Sequence, residues 1–568
     1  MKVAKISGKA SRRIAKDKDR ISKIAKWLLV VLCVQFIIYL FLLNIIPFSN
    51  DKNGDGSITD EEINSFYTEI WYRSKGAGPS QETDNGMQFI HTYNILFLVV
   101  EIGLCMYYMV VIMEEYEGSL QERIKQFFHE NKGLFFLFLF MTWTFISSLC
   151  AYDKFRSFIG CYNLRDGYVS FMFYGSVLTC VLLLGKNSDK SKRLVTNIFL
   201  VTATIIAILT LVDYYALASG KPVIGSIPIV QRYLLSLTNI TASVFNNSNH
   251  YGYFLSIAVI VAAAMFVKTE IPSYENKKSF WIALTSKVLY AISFCVMAYM
   301  LILNDTFGSY LGVMLGLVFM FITSLIMKKD FIKTVIVVAV FVVLSIYVQN
   351  AEGIFVARRN FENTTNDILK IVGIYTNRGN SENIENSAGI EETGENTGNN
   401  TPATTNATSS TDVAAAGSGR YTLWKNTVKI IMGESDETIT GKIKTFFLGK
   451  GLENLIYTLK NENGDSEGRS HSLLFQLAGT TGVPGAILYF LGIGWIFISN
   501  LKNIKKWDAF SYMGMAVIVS YIISSMTGNS GFYTSGYFYI FVGFVILGMM
   551  ELRDKESKDL RIKTGKNK

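Results

Sequence analysis

Charged side chains are scarce in this 568-residue chain, at 17%, against 50% hydrophobic residues. With a positive mean hydropathy, that composition does not suit a soluble globular protein of this size. Cysteine is also sparse. Cys33, Cys105, Cys150, Cys161, Cys180 and Cys295 mostly lie inside apolar runs, and none forms a CxxC pair. That spacing argues against a metal site or a disulfide framework. Cys161, with Cys150 near it, is the one placed to meet an oxidising exterior. No small-x-small cleavage site follows the first apolar run, Trp27–Pro47. At about 20 residues this run is longer than the core of a signal peptide, so it is expected to remain as a first membrane span. No convincing internal repeat is found, which counts against a transporter built from repeats.

What the chain does have is apolar length. Stretches suited to crossing a bilayer lie near 27–48, 89–113, 133–151, 168–185, 194–218, 251–267, 280–303, 310–327, 334–348, 473–498, 510–526 and 537–550. Aromatic residues reach 14%, with 40 Phe and 30 Tyr, as fits many short spans with interfacial belts. Net charge is +9, and the positive charges are localised. Ten Lys and Arg residues, from Lys2 to Lys26, precede the first span. Further Lys and Arg follow spans four, six, eight, ten and twelve, all on the side that holds the N-terminus. The positive-inside rule then predicts a multi-pass plasma-membrane protein with both termini cytoplasmic. The N-terminal block reads as an anchor against anionic lipid and not as a nucleic-acid site. The expectation is an all-α membrane protein of about 12 transmembrane helices with a large extracellular loop between helices nine and ten. Its parts are a basic tail at 1–26, a bundle at 27–348, the loop at 349–470, a second bundle at 471–550 and a basic tail at 551–568.

Within the loop, Asn377 to Gly419 is rich in Asn, Thr, Ser, Gly and Ala and nearly devoid of large apolar residues. Such a segment cannot bury enough surface to fold. Its flanks, Ile354–Tyr375 and Arg420–Ile431, carry apolar residues at helical spacing and predict amphipathic helices on the outer face. Between the first two spans, Asp51 to Glu62 matches a twelve-position EF-hand loop. Asp51, Asn53 and Asp55 offer side-chain oxygens, Gly56 allows the turn, Ser57 offers its carbonyl, Ile58 anchors and Glu62 is the bidentate ligand. A single extracellular hand of this kind is expected to bind Ca²⁺ weakly, with Kd on the order of 10⁻⁴–10⁻³ M, in a structural role. An acidic turn between spans is the plain alternative.

The loop closes on three short patterns: Gly419-Arg420-Tyr-Thr-Leu-Trp424, then Gly449-Lys-Gly451, then Ser470-His471-Ser472 with Gly482 and Gly485 behind. Here the sequence resembles the O-antigen ligase and polymerase superfamily of polysaccharide-assembling membrane proteins. Ile159 to Gly167, containing Arg165, and Phe245 to His250 resemble two further patches of that family. The resemblance covers roughly residues 130–550, and it rests on order and spacing more than on any one motif. The chain departs from the pattern where Asn246-Asn247-Ser248 replaces Gly-Asn-Pro. It departs again where Gly479-Thr480 stands in place of an acidic residue. The resemblance implies a GT-C-like fold and an inverting glycosyl transfer that needs neither metal nor nucleotide.

The chemistry also follows from residue types. A glycan donor outside the membrane would be an undecaprenyl-pyrophosphate-like oligosaccharide, and its dianionic leaving group must be held near the interface. Arginine suits this, being always charged and able to fork two hydrogen bonds to phosphate. Arg420 and Arg165 are the leading catalytic candidates, although each could also be a solvated or interfacial charge. His471 is one of only four histidines, and it titrates near neutrality, so it suits accepting a hydroxyl proton from the acceptor. Its plain alternative is a helix-capping residue. Trp424, Asn249, Arg469 and Arg156 are candidate substrate contacts; Arg232, Arg358 and Arg359 are weaker ones. Partners would be the lipid-pyrophosphate donor, a glycan or other cell-surface acceptor, and membrane lipid. Glu101, Asp213 and Lys287 fall inside apparent spans, where an ionisable group raises the question of function. Lys287 is near enough to one end to snorkel. A flippase for lipid-linked glycan and a calcium-responsive scaffold remain as rival readings.

Overall fold

The computed structural model describes residues 8–45, 85–115, 119–160, 166–185, 188–218, 245, 248–352, 419–433, 438–461, 464, 466–528 and 532–565. The calcium-loop residues 51–62, Arg165, Cys161, Arg232, Arg358, Arg359, the flank Ile354–Tyr375 and the polar segment up to residue 418 lie outside these. Among the described residues there are helices and no strand, apart from one isolated bridge between Lys460 and Ser466.

The helices are α1 (Gly8–Ile45), α2 (Asn85–Glu115), α3 (Leu120–Glu130), α4 (Lys132–Leu149), α5 (Lys154–Ile159), α6 (Tyr168–Leu183), α7 (Asp189–Ala218) and α8 (Ser248–Lys268). After them come α9 (Lys277–Asn304), α10 (Phe307–Met327), α11 (Phe331–Glu352), α12 (Gly419–Ile431), α13 (Ile439–Leu448), α14 (Leu473–Leu501), α15 (Ala509–Met526) and α16 (Phe532–Gly565). Eleven of these are long and apolar enough to span a bilayer, and α6 is apolar but shorter. Each of the twelve expected spans therefore corresponds to a helix, and the chain is an all-α polytopic membrane protein. Val99, Met106, Ile332 and Val343 are each more than 60% exposed, as suits helix faces turned to lipid tails.

The core is built around α8, which is buried on all sides and packs against α7, α9, α10, α11, α15 and α16. A helix apolar all round belongs in such a position. Phe245, just before α8, is itself buried, with its ring centroid 4.4 Å from that of Phe36 and 5.0 Å from that of Phe254. This anchor fixes where α8 begins.

Two terminal segments differ from the expectation of basic tails. α1 runs through the N-terminal basic block. Ile14, Ile21, Ala25 and Leu29 form a buried stripe there, while Arg12, Arg13, Lys16, Arg20 and Lys23 stay exposed. α16 likewise continues well past its last apolar residue. Lys192, expected in a solvated basic loop, has no exposed side-chain surface; it contacts Asp189 at 2.8 Å, Glu551 at 3.3 Å and Asp508 at 3.6 Å. Of the intramembrane charges, Glu101 is buried and accepts a hydrogen bond from Cys105 Sγ at 3.3 Å. Lys287 reaches across to the end of α8, where it donates to Thr269 O at 3.2 Å. The side chain of Asp213 lies outside the described residues.

The bundle has two chemically distinct ends. Lys192, Lys268 and Lys333 gather at one end, where Lys268 and Lys333 share Asp330. The α5, α12 and α13 helices, the Asn454–Tyr457 turn and the start of α14 gather at the other. The basic loops used to assign the cytoplasmic side all fall at the first end, and His471 falls at the second.

Candidate active site

The site end is organised by a break in α14. Gly482 has φ +77°, and Pro484 follows it, so the helix is two segments joined at a kink. Proline removes an N–H and glycine permits the left-handed backbone, which together strand the carbonyls of the preceding turn. Irregular backbone at membrane depth is tolerated only when neighbours satisfy such groups. Here α13 and the Gly449-Lys450-Gly451 turn do so. Lys450 N donates to Gly479 O and Gly451 N to Thr480 O, both at 2.9 Å. From α4, Ser147 Oγ donates to Thr480 O at 2.9 Å and Trp143 Nε1 to Thr481 O at 3.0 Å. The approach is too close for side chains: a Cβ at Gly482 would sit 2.1 Å from Phe447 O, and one at Gly449 2.4 Å from Thr480 C.

This docking places the loop after α13 and the start of α14 side by side, and α12 closes over them. Trp424 on α12 stacks on Phe475 of α14, with centroids 5.7 Å apart and planes at 29°. Trp424 Nε1 is buried and has no hydrogen-bond partner among the described residues. Arg420, one turn earlier, donates from Nη1 to Thr527 O at 2.8 Å, at the carbonyl end of α15. No carboxylate pairs with Arg420 among the described residues. Most of its five donors are therefore available to a ligand.

Below them a chain of ionic contacts crosses the mouth of the bundle. Arg469 is buried and paired with Asp166 at 2.5 Å. The Asp166 backbone N–H donates to the carboxylate of Glu453, which is also buried. The other Glu453 oxygen lies 4.0 Å from Arg156 Nε. Arg156 also sits over the Tyr457 ring, 5.7 Å from its centroid, and Tyr457 donates to Asp153 Oδ2 at 3.1 Å. Arg469 is thus committed to a carboxylate, and Arg156 faces one at longer range. Together they link α5, the residues before α6 and the 449–457 loop.

His471 sits immediately before α14 with φ +55°, a strained setting for a side chain other than glycine. Its pKa is lowered to about 4, first by burial and then by the charges of Arg420 and Arg469. At neutral pH the imidazole is therefore neutral, with a nitrogen able to accept a proton. The structure brings His471, Arg420 and Arg469 into one electrostatic neighbourhood and sets Trp424 beside them on α12. Arg156 joins through Glu453. Asn249 is half-buried in the first turn of α8; its neighbour His250 is the residue that interacts electrostatically with Arg469 and His471.

His250 was weighed with Asn249 in the Phe245–His250 patch, as a turn or cap residue more than a site residue; Tyr253, Asp166 and Glu453 were missed. Tyr253 is fully buried on α8, is reached by the charges of Arg420 and Arg469, and presses its hydroxyl against Gly528. Asp166 stood next to the singled-out Arg165, and Glu453 stood two residues past the Gly-x-Gly turn, so both lay within reach of the motifs.

Residues 292–490 match the family model described as O-antigen ligase. The matched segment contains Arg420, Trp424, Arg469, His471 and the kink at Gly482, while Arg156, Asp166 and His250 lie before it. No curated protein matches the chain.

Proposed function

From the match of residues 292–490 to the O-antigen ligase family model, we propose that this chain transfers or polymerises oligosaccharide from a lipid-pyrophosphate donor, at the bundle end that carries His471. We further propose that this end faces outward, with the basic end in the cytoplasm. At family level the chain is an O-antigen ligase or polymerase type of membrane glycosyltransferase. The observation that carries the finer reading is a neutral His471 beside Arg420, a guanidinium with no carboxylate partner among the described residues.

In this reading Arg420 binds the donor's pyrophosphate, and Arg165, which lies outside the described residues, is proposed as a second cation for it. The acceptor hydroxyl gives its proton to His471 as its oxygen attacks the anomeric carbon. The bond from that carbon to the phosphate oxygen breaks, and the lipid pyrophosphate leaves with the bonding electrons. Arg420 stabilises the negative charge that grows on it. The proton then passes from His471 to solvent or to the leaving pyrophosphate, which restores the base. Trp424 shapes the wall beside the reacting groups.

The test is reconstitution of the purified protein with a lipid-pyrophosphate oligosaccharide, with products analysed for chain growth against transfer to a foreign acceptor. His471→Ala and Arg420→Ala are expected to stay folded and to lose transfer by at least about 100-fold, the usual scale of general-base and charge-stabilising contributions. Normal transfer in either variant would remove the assignment. The Ca²⁺ loop at Asp51–Glu62 belongs to the proposal as an accessory structural site. Calorimetric titration should give heat at millimolar calcium, and Glu62→Gln should abolish it. A silent wild-type titration would end that part.

A further inference from the structure

A cavity opens at the end of the bundle opposite His471. It has a volume of about 230 Å³ and lies between the start of α4, the C-terminal half of α14 and α16, beneath the amphipathic helix α3. Its walls include Lys132, Arg553, Asn131, Ser499, Asn503 and Trp495. Arg553 is fixed there by donation to Glu130 O and, at 2.6 Å, to Asn131 Oδ1. Lys132 holds its ammonium 5.3 Å from the centroid of the Trp495 ring. Neither cation pairs with a carboxylate among the described residues. The one carboxylate at the rim, Glu130, accepts instead from Gln126 Nε2 at 2.9 Å.

Two cations, Arg553 held by hydrogen bonds and Lys132 over the Trp495 ring, and several neutral hydrogen-bonding side chains around a cavity of this size fit a phosphate group. The surroundings say what carries it. Trp495 is 43% exposed on a helix that spans the bilayer, and Ile124 and Phe127 of α3 and Phe135 and Phe138 of α4, the two helices that meet at the cavity's Glu130–Leu134 wall, are also exposed. Helix α3 places polar residues on one face and apolar ones on the other, as suits lying in the interface. A soluble anion has no need of this apolar surround, whereas acyl chains do. We propose that the cavity binds the phosphate of an anionic membrane phospholipid, with the headgroup between Lys132 and Arg553 and the acyl chains along Trp495. Basic pockets between spans at the membrane surface are suited to such headgroups.

The proposal is tested on the full-length protein in nanodiscs that contain phosphatidylglycerol and phosphatidylcholine, by native mass spectrometry of the lipid that survives extraction. The wild type should retain phosphatidylglycerol selectively. Lys132→Gln should lower that retention about fivefold, the scale expected for one cation at the surface. Ser499→Phe should lower it by filling the cavity without removing charge, and Lys132→Arg should restore it. Lys505→Gln, which alters an exposed lysine outside the cavity, should have no effect. Equal retention in Lys132→Gln and Ser499→Phe would overturn the proposal. So would displacement of the lipid by millimolar inorganic phosphate, because that result assigns the cavity to a free anion.

Discussion

At the scale of a residue, His471 is the test of the chemistry, because its charge state is set by its neighbours. Burial and two guanidinium groups oppose a proton on its ring and bring its pKa to about 4. As the folded value lies below the usual 6.5, the neutral form dominates at every pH above about 4. The acid limb of kcat/KM, which reports the free enzyme, should therefore fall near pH 4 and be absent in His471→Ala. A bound pyrophosphate dianion offsets Arg420 and Arg469, so the acid limb of kcat should lie at higher pH than that of kcat/KM. Arg420→Gln removes one of the opposing charges and should move the kcat/KM limb upward. A limb at the ordinary histidine value in both enzymes would show that these arginines do not act on His471. Arg420, Trp424 and His471 were legible in the sequence because each sits in a short local pattern. Tyr253 and Glu453 were not, since nothing local distinguishes a site tyrosine on α8 from the other buried aromatics. Arg469 shows the limit in the opposite direction. Its type suggested a phosphate ligand, but the carboxylate that occupies it lies some 300 positions away in the chain, at Asp166.

At the scale of an element, the two halves of α14 and the α13 turn form one unit. The apolar runs made every span legible, because length and hydropathy are local properties. The glycines and the proline of α14 were visible as well, but not their purpose, which depends on a turn about thirty residues earlier donating into the break. The N-terminal basic block was read as a tail because its charge is conspicuous. Its buried stripe at Ile14, Ile21, Ala25 and Leu29 follows helical spacing and was present in the sequence all along. If the break in α14 positions His471, then Gly482→Ala should be far worse than Pro484→Ala. The alanine at 482 meets both a positive φ, costing about 1–3 kcal/mol, and a carbonyl 2.1 Å from its Cβ. It should lower thermal stability and transfer together by displacing the α13 turn. At 484 alanine restores an N–H, but the Thr480 carbonyl that it would meet already accepts from Gly451 N and Ser147 Oγ. That variant should remain near wild type. Equal behaviour of the two would mean that the kink has no positioning role.

At the scale of the whole molecule, the end opposite His471 is tied together by a buried cation. Lys192, at the start of α7, meets Asp189 on its own helix, Asp508 at the N-cap of α15 and Glu551 on α16. These parts are more than 300 positions apart in sequence, so the contact ties the first half of the bundle to the last. Oxygens of the three carboxylates lie within 4.8 Å of one another, a grouping that would suit a metal ion; here the lysine ammonium sits among them. Removing one partner of a buried ionic group usually costs about 3–5 kcal/mol, because the remaining charge is left uncompensated. Lys192→Met should therefore lower the thermal midpoint markedly. It should also create a new dependence on divalent cations, since three mutually repelling carboxylates regain stability by binding one. Thermal unfolding of wild type and variant with and without millimolar calcium separates this from the loop at 51–62, which both proteins share. The variant should gain more stability than the wild type, and Asp508→Asn in the variant background should remove the extra gain. If Lys192→Met is as stable as the wild type and indifferent to calcium, the ammonium is not what holds this end of the bundle together.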